Sequence, residues 1–264
     1  MSTGTQHLRT PIVSPKGITE IADGVWVIPD SDHTPLVPNI GIVVGGRATL
    51  VIDTGFGADN ARAVMQEARR LSAGRPVYLT HTHCHPEHGF GANVVAGEVT
   101  IVYNEAQWNE LQEKGHVLLH MFRNQIPSLA PMLDGVEFVR PQLLYAGSLK
   151  LDLGDGQIVE FREFGGAHSR GDQAILVRKS QVVLFSRFHS VASAGLICRS
   201  SSRMTRLSKI LKVILVSGSE VLMCGSNFWT SAACSTTRSL LPAGAAAQQS
   251  AAKNTTKTRI VDPR

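Results

Sequence analysis

The sequence predicts an α+β domain, a β-sheet covered by helices on its outer face. Three observations predict it: short β-branched runs arranged in hairpin pairs, an amphipathic helical stretch between two such runs, and loops rich in glycine or histidine placed directly after apolar runs. At 264 residues, 43% hydrophobic and 18% charged, the chain has the size and composition to bury a substantial core.

The first two apolar runs, residues 18–21 and 25–28, flank the turn signal Asp23-Gly24 and read as a hairpin. Residues 39–44 and 48–52, joined through Gly45-Gly46, read as a second hairpin of buried strands, which Asp53-Thr54-Gly55 ends in a loop. From Asp59 the apolar residues Ala61, Val64, Met65, Ala68 and Leu71 recur at helical spacing, and Gly74 stops the helix. Pro76 opens a further strand through Val77-Tyr78-Leu79. Residues 99–103 read as a strand and 104–114 as a polar helix. The apolar stretch 115–131, broken by Pro127 and Pro131, is either a cap over a pocket or an ordinary packed helix. Residues 149–153 and 158–164 form two strands around Asp155-Gly156, and 174–177 with 182–185 form a last hairpin.

Chemistry concentrates in Thr82-His83-Cys84-His85-Pro86-Glu87-His88, at the end of the strand opened by Pro76. Two histidines at i and i+2 on extended backbone point the same way, so one ion can take both. Imidazole with carboxylate suits zinc, iron or manganese. The strand delivers the first ligands to a loop, and a helix carries the last of them. A second loop, Gly165-Gly166-Ala167-His168, again places a histidine after a strand. His116 and His120 stand one helical turn apart, but no third ligand lies near them, and they read as surface or core histidines.

Residues 1–17 are a polar tail without the apolar core of a secretory signal, so a cytoplasmic location is the default expectation. The best membrane candidate, residues 210–223, is interrupted by Ser217, Gly218, Ser219 and Glu220. Cys84, Cys198, Cys224 and Cys234 have no CxxC spacing and indicate neither a disulfide framework nor a zinc ribbon.

The net charge of +5 hides an asymmetry: residues 1–172 carry 13 Lys and Arg against 19 acids, and residues 173–264 carry 13 against two, Glu220 and Asp262. From Ser186 onward serine, threonine, alanine and arginine dominate. Met204, Leu207, Ile210, Leu211 and Ile214 would line one face of a basic amphipathic helix, and residues 242–264 read as disordered. Aromatic residues for base stacking are scarce there, so nucleic acid is not an expected partner, and neither is a membrane.

The order Asp53-Thr54-Gly55, His83-x-His85-x-Glu87-His88 and Gly-x-His168 resembles the metallo-β-lactamase superfamily, whose motif is HxHxDH followed by a distant histidine. The likeness covers residues 18–186 and implies an αββα sandwich, incomplete or disordered after about residue 186. It implies that His83, His85 and His168 hold one metal ion, with Glu87 and His88 belonging to a second. It further implies hydrolysis of an ester, amide, lactam or thioester in a small-molecule substrate by zinc-bound hydroxide. Glu87, where the family has aspartate, serves as second-metal ligand, as the carboxylate that orients the water, or as both. The family also expects an aspartate just after residue 185 and a late Gly-His-Gly loop. Here the chain reads Ser186-Arg187-Phe188, with Ser219 in place of the late histidine. Two readings remain open, a divergent genuine tail and a change of reading frame near Ser186–Arg187. One zinc ion is the expected load, and a catalytically impaired single-metal relative is the alternative to an active hydrolase.

Overall fold

Two β-sheets stacked face to face carry the fold, and helices cover the outer face of the first. The computed structural model describes residues 9–30, 32, 34–166, 169–185 and 212–215, the last four by backbone only.

The first sheet has seven strands in sequence order: β1 (Thr19–Ala22), β2 (Val25–Ile28), β3 (Ile40–Val44), β4 (Thr49–Ile52), β5 (Val77–Thr80), β6 (Thr100–Asn104) and β7 (Leu143–Tyr145). The first four strands pair antiparallel through hairpins, as the turn signals predict. From β4 to β7 the pairing is parallel, because α1 (Ala58–Ser72), α2 (Pro86–Gly89) and α3 (Glu105–Gln125) occupy the connections. The second sheet runs β12 (Lys212–Leu215), β11 (Val182–Phe185), β10 (Gln173–Val177), β9 (Ile158–Glu163) and β8 (Ser148–Asp152).

Strand alternation produces two cores. In β3 and β4, Ile40, Ile42 and Val51 face the helices, while Val43, Leu50 and Ile52 face the second sheet. Val159, Phe161, Ile175, Val177, Val182 and Leu184 meet the latter group from across the sandwich. Gly41 lies in this seam, where a Cβ would stand 3.3 Å from Leu184 Cδ1. On the helical side Ala61, Val64, Met65 and Ala68 of α1 are fully buried. Full burial of a Val or Met side chain contributes about 1.5–3 kcal/mol, so this stripe, rather than helix propensity, holds α1 in place. Left-handed Ala73 (φ 48°) and Gly74 (φ 85°) terminate α1 where the sequence predicts a stop.

Three elements differ from the sequence reading. α3 joins the helix expected over 104–114 to the first part of the apolar stretch 115–131, whose packed-helix reading holds as far as Gln125; at Gly115 a Cβ would approach the Phe138 ring to 2.8 Å. β7 is three residues long, too short to leave a periodic pattern. The helix expected over residues 204–214 is replaced at its end by β12, which pairs parallel with β11 from Val182↔Lys212 to Phe185↔Leu215. The run Val213-Ile214-Leu215 has β-strand chemistry, and the open edge of β11 offers it backbone partners. The rest of the tail, its expected disorder and the reading-frame question lie outside the described residues.

Candidate metal centre

β4 and β5 are parallel neighbours, so their C-terminal ends lie side by side, and the loops that leave them form the site. The Asp53 N–H donates to the Thr80 carbonyl at 2.9 Å and ties the two loops at their base. Further out, the Thr54 N–H donates to the His88 carbonyl at 2.8 Å, and the Gly57 N–H donates to the Phe90 carbonyl. Residues 81–85 leave β5 in irregular backbone, and Pro86, at the first position of α2, starts the single turn that carries Glu87 and His88.

The structure brings together one donor atom from each of His83, His85 and Glu87, all within 4.8 Å of one another. Nitrogen and oxygen ligands lie about 2.0–2.2 Å from zinc, so two on one ion are at most about 4.4 Å apart, and small side-chain adjustments suffice for these three. The His83 ring centroid lies 4.6 Å from that of His85 and 4.2 Å from that of His88. His83 and His88 are buried, while His85 and Glu87 are half-buried and give the site its open side.

Asp53, fully buried, organises this cluster. Its Oδ2 accepts from His88 Nδ1 at 2.8 Å, and its Oδ1 accepts from the Thr82 N–H at 2.7 Å. The Thr82 hydroxyl donates to the same carboxylate at 3.0 Å and lies 3.3 Å from His83 Nδ1. With Nδ1 engaged by Asp53, His88 presents Nε2, which is buried, has no hydrogen-bond partner among the described residues and stands 3.8 Å from a Glu87 oxygen. A buried nitrogen in this state, beside two histidines and a carboxylate, fits a metal ion. Burial opposes charging of the His88 imidazole, but Asp53, with Glu87 and Asp172, outweighs it and raises the pKa.

His83, His85 and Glu87 thus come within reach of one ion, and the His88 ring lies beside them. His168 lies outside the described residues. The loop that follows it is anchored on α3. The Ser169 N–H and hydroxyl donate to Asp172, the Arg170 N–H donates to Glu110 at 2.6 Å, and Asn104 Nδ2 donates to the Gly171 carbonyl at 2.8 Å. His116 and His120 are exposed on α3, as expected.

Sequence reading used Asp53 as the end of a strand and as part of the ordered pattern behind the resemblance, without assigning it a partner, and gave His81 no role. His81 is buried, its Nδ1 lies 2.8 Å from the Tyr103 hydroxyl, and burial lowers its pKa to about 4. Burial also pushes the Cys84 thiol up to about 12, so this cysteine is protonated at neutral pH.

Fold and site together define a hydrolase fold with a His-x-His-x-Glu metal-binding site. The family model of the metallo-beta-lactamase superfamily matches residues 33–186, more than half of the chain, and the chain belongs to that superfamily. Among solved structures it is similar to a metallo-beta-lactamase from Pontibacter korlensis, with 17% identity, a TM-score of 0.58, and coverage of 76% of this chain and 90% of that one. TMB-1 matches with 15% identity, a TM-score of 0.56, and coverage of 81% and 93%. The inverting sec-alkylsulfatase Pisa1 from Pseudomonas sp. matches with 19% identity, a TM-score of 0.58 and coverage of 80% of this chain. The chain spans only 39% of the length of that sulfatase. Among the described residues no helix is long and apolar enough to cross a membrane.

Proposed function

We propose that this chain is a metal-dependent hydrolase in which His83, His85 and Glu87 hold a zinc ion, with His168 and His88 as further ligands. The convergence of the His83, His85 and Glu87 donor atoms within 4.8 Å carries this reading. Bound there, zinc would acidify a water molecule and polarise the bond to be cut. Thr82 and Asp53 hold the rings of His83 and His88 in register, which lowers the ordering cost of binding the ion. Glu87 is half-buried, and with one carboxylate oxygen given to the ion the other would remain to accept a hydrogen bond from the attacking water and orient it.

The substrate class is a small molecule with an ester, amide, lactam or thioester bond. With Glu87 and His88 both drawn to this ion, the described residues offer no second group of three ligands, so at most one ion is held tightly per chain. Metal analysis of the purified protein, followed by assay against one substrate of each class, tests this. One equivalent of zinc and hydrolysis that disappears in Glu87→Gln are expected. Two equivalents per chain would overturn the single-ion reading, and zinc binding without hydrolysis of any class would favour the catalytically impaired relative.

A further inference from the structure

We infer that a single water molecule is bound behind the metal loop, between the His81 ring and the Gln107 side chain of α3, and that it fixes the loop carrying His83 and His85. Gln107 and His81 already meet at one point, where Gln107 Nε2 donates to the His81 carbonyl at 3.2 Å. On its other side the His81 ring meets Tyr103, with Nδ1 and the hydroxyl 2.8 Å apart. This leaves His81 Nε2 and Gln107 Oε1, both buried and both without a hydrogen-bond partner among the described residues. Both side chains line the same largely enclosed cavity, together with Tyr103, His83, Cys84, Gly89, Phe90 and Leu111, and it has about 10 Å³ of room for the centre of a water molecule.

One water needs about that volume and at least two polar partners, whereas a cavity with only apolar walls stays dry. The hydrogen-bonding roles also close. Gln107 Oε1 only accepts, so the water donates to it. His81 Nε2 either accepts the second water hydrogen, with Nδ1–H donating to Tyr103, or donates to the water, with the Tyr103 hydroxyl donating to Nδ1. The resulting chain Tyr103–His81–water–Gln107 spans from β6 to α3 and passes two residues from His83. The water rests on these atoms alone, while its effect on metal binding rests on the proposed function.

A high-resolution crystal structure of the full chain tests the site. A water within hydrogen-bonding distance of both His81 Nε2 and Gln107 Oε1 is expected, absent in His81→Phe and Gln107→Met, which fill the space without serving as its partners. A dry cavity in the wild type, or a Gln107 amide turned to bond the His81 ring directly, would overturn it. If neither variant folds, solution NMR of the wild type decides, through cross-relaxation between a long-lived water and the His81 ring protons. Chelator competition then tests the effect on the loop. Gln107→Met should hold zinc about tenfold more weakly than wild type, with shifted absorption bands in the cobalt-substituted protein. Unchanged affinity and an unchanged cobalt spectrum would overturn the loop-fixing role. A wild type that binds no zinc would sink the metal function itself and leave the crystallographic water to be judged separately.

Discussion

His88 and Asp53 face each other at 2.8 Å with both side chains shut off from solvent, and the Thr82 hydroxyl lies against both. The carboxylate fixes which imidazole nitrogen carries the proton and where the other one points. A ligand aimed in advance loses less freedom on binding than one that must be ordered by the ion.

Replacement of Asp53 by asparagine keeps the shape of that contact and removes its charge. Zinc affinity measured by chelator competition should fall about tenfold to a hundredfold, the usual consequence of losing an outer partner of a metal-bound histidine. Since Asp53 raises the His88 pKa, the variant should also show that pKa lowered in NMR titration of the metal-free protein. An unchanged affinity would mean that His88 does not need Asp53 to meet the ion.

Metal binding should be visible as stability. A ligand that binds only the folded state adds about 2.7 kcal/mol when present at a hundred times its dissociation constant. Added zinc should therefore raise the thermal midpoint of the wild type and leave that of His85→Ala nearly unmoved. Equal shifts in both proteins would place the stabilising ion elsewhere.

Glu110 gives a pH dependence away from the cluster. Burial works to raise its pKa from the ordinary 4.5, but the hydrogen bonds from Lys114 and the Arg170 N–H, with both positive charges, prevail and lower it. A carboxylate with a depressed folded-state pKa stabilises the fold above its unfolded value, and that contribution is lost as pH falls through the folded value. Glu110→Gln should thus be less stable than wild type in urea at neutral pH, and the gap should close below about pH 4.5. A gap that persists unchanged into acid would exclude the ionised carboxylate as its source.

Gly91 has φ 151°, and a Cβ on it would press into the Gly57 carbonyl, backbone that cannot step aside. Gly91→Ala should cost about 2–3 kcal/mol. Gly97, with nothing within 4 Å of its Cβ position, is the control, and alanine there should change stability by no more than about 0.5 kcal/mol. Urea unfolding of the two variants compares them directly, and equal losses would show that crowding at Gly91 is not the cause.

The sheets and most helices were legible because burial on one face or two leaves a period in the sequence. Ile40, Ile42, Val43, Leu50, Val51 and Ile52 announce buried strands, and the α1 stripe announces its helix. β7 left no such trace, and the need for a glycine at 115, where a Cβ would crowd the ring of Phe138, comes from a residue outside the helix. At the site, ligand types and spacing identified His83, His85, Glu87 and His88 as a cluster. How they divide around an ion is set by side-chain directions, which one-dimensional spacing does not carry. Asp53 was hidden for a related reason: its partners Thr82 and His88 are 29 and 35 residues away. A strand-terminating acid before a glycine reads as a turn until the parallel neighbour β5 brings the histidines beside it.

Asp53 also has φ 68°, a backbone conformation that only glycine, asparagine and aspartate adopt readily. Glycine would satisfy the backbone and leave His88 without a partner. Asparagine would keep the geometry and drop the charge, and glutamate would keep the charge but enter the strained conformation with a longer side chain. Two independent filters, one conformational and one electrostatic, thus intersect on a single amino acid. Saturation mutagenesis would find position 53 closed to the other residues even where neighbouring core positions exchange one aliphatic side chain for another.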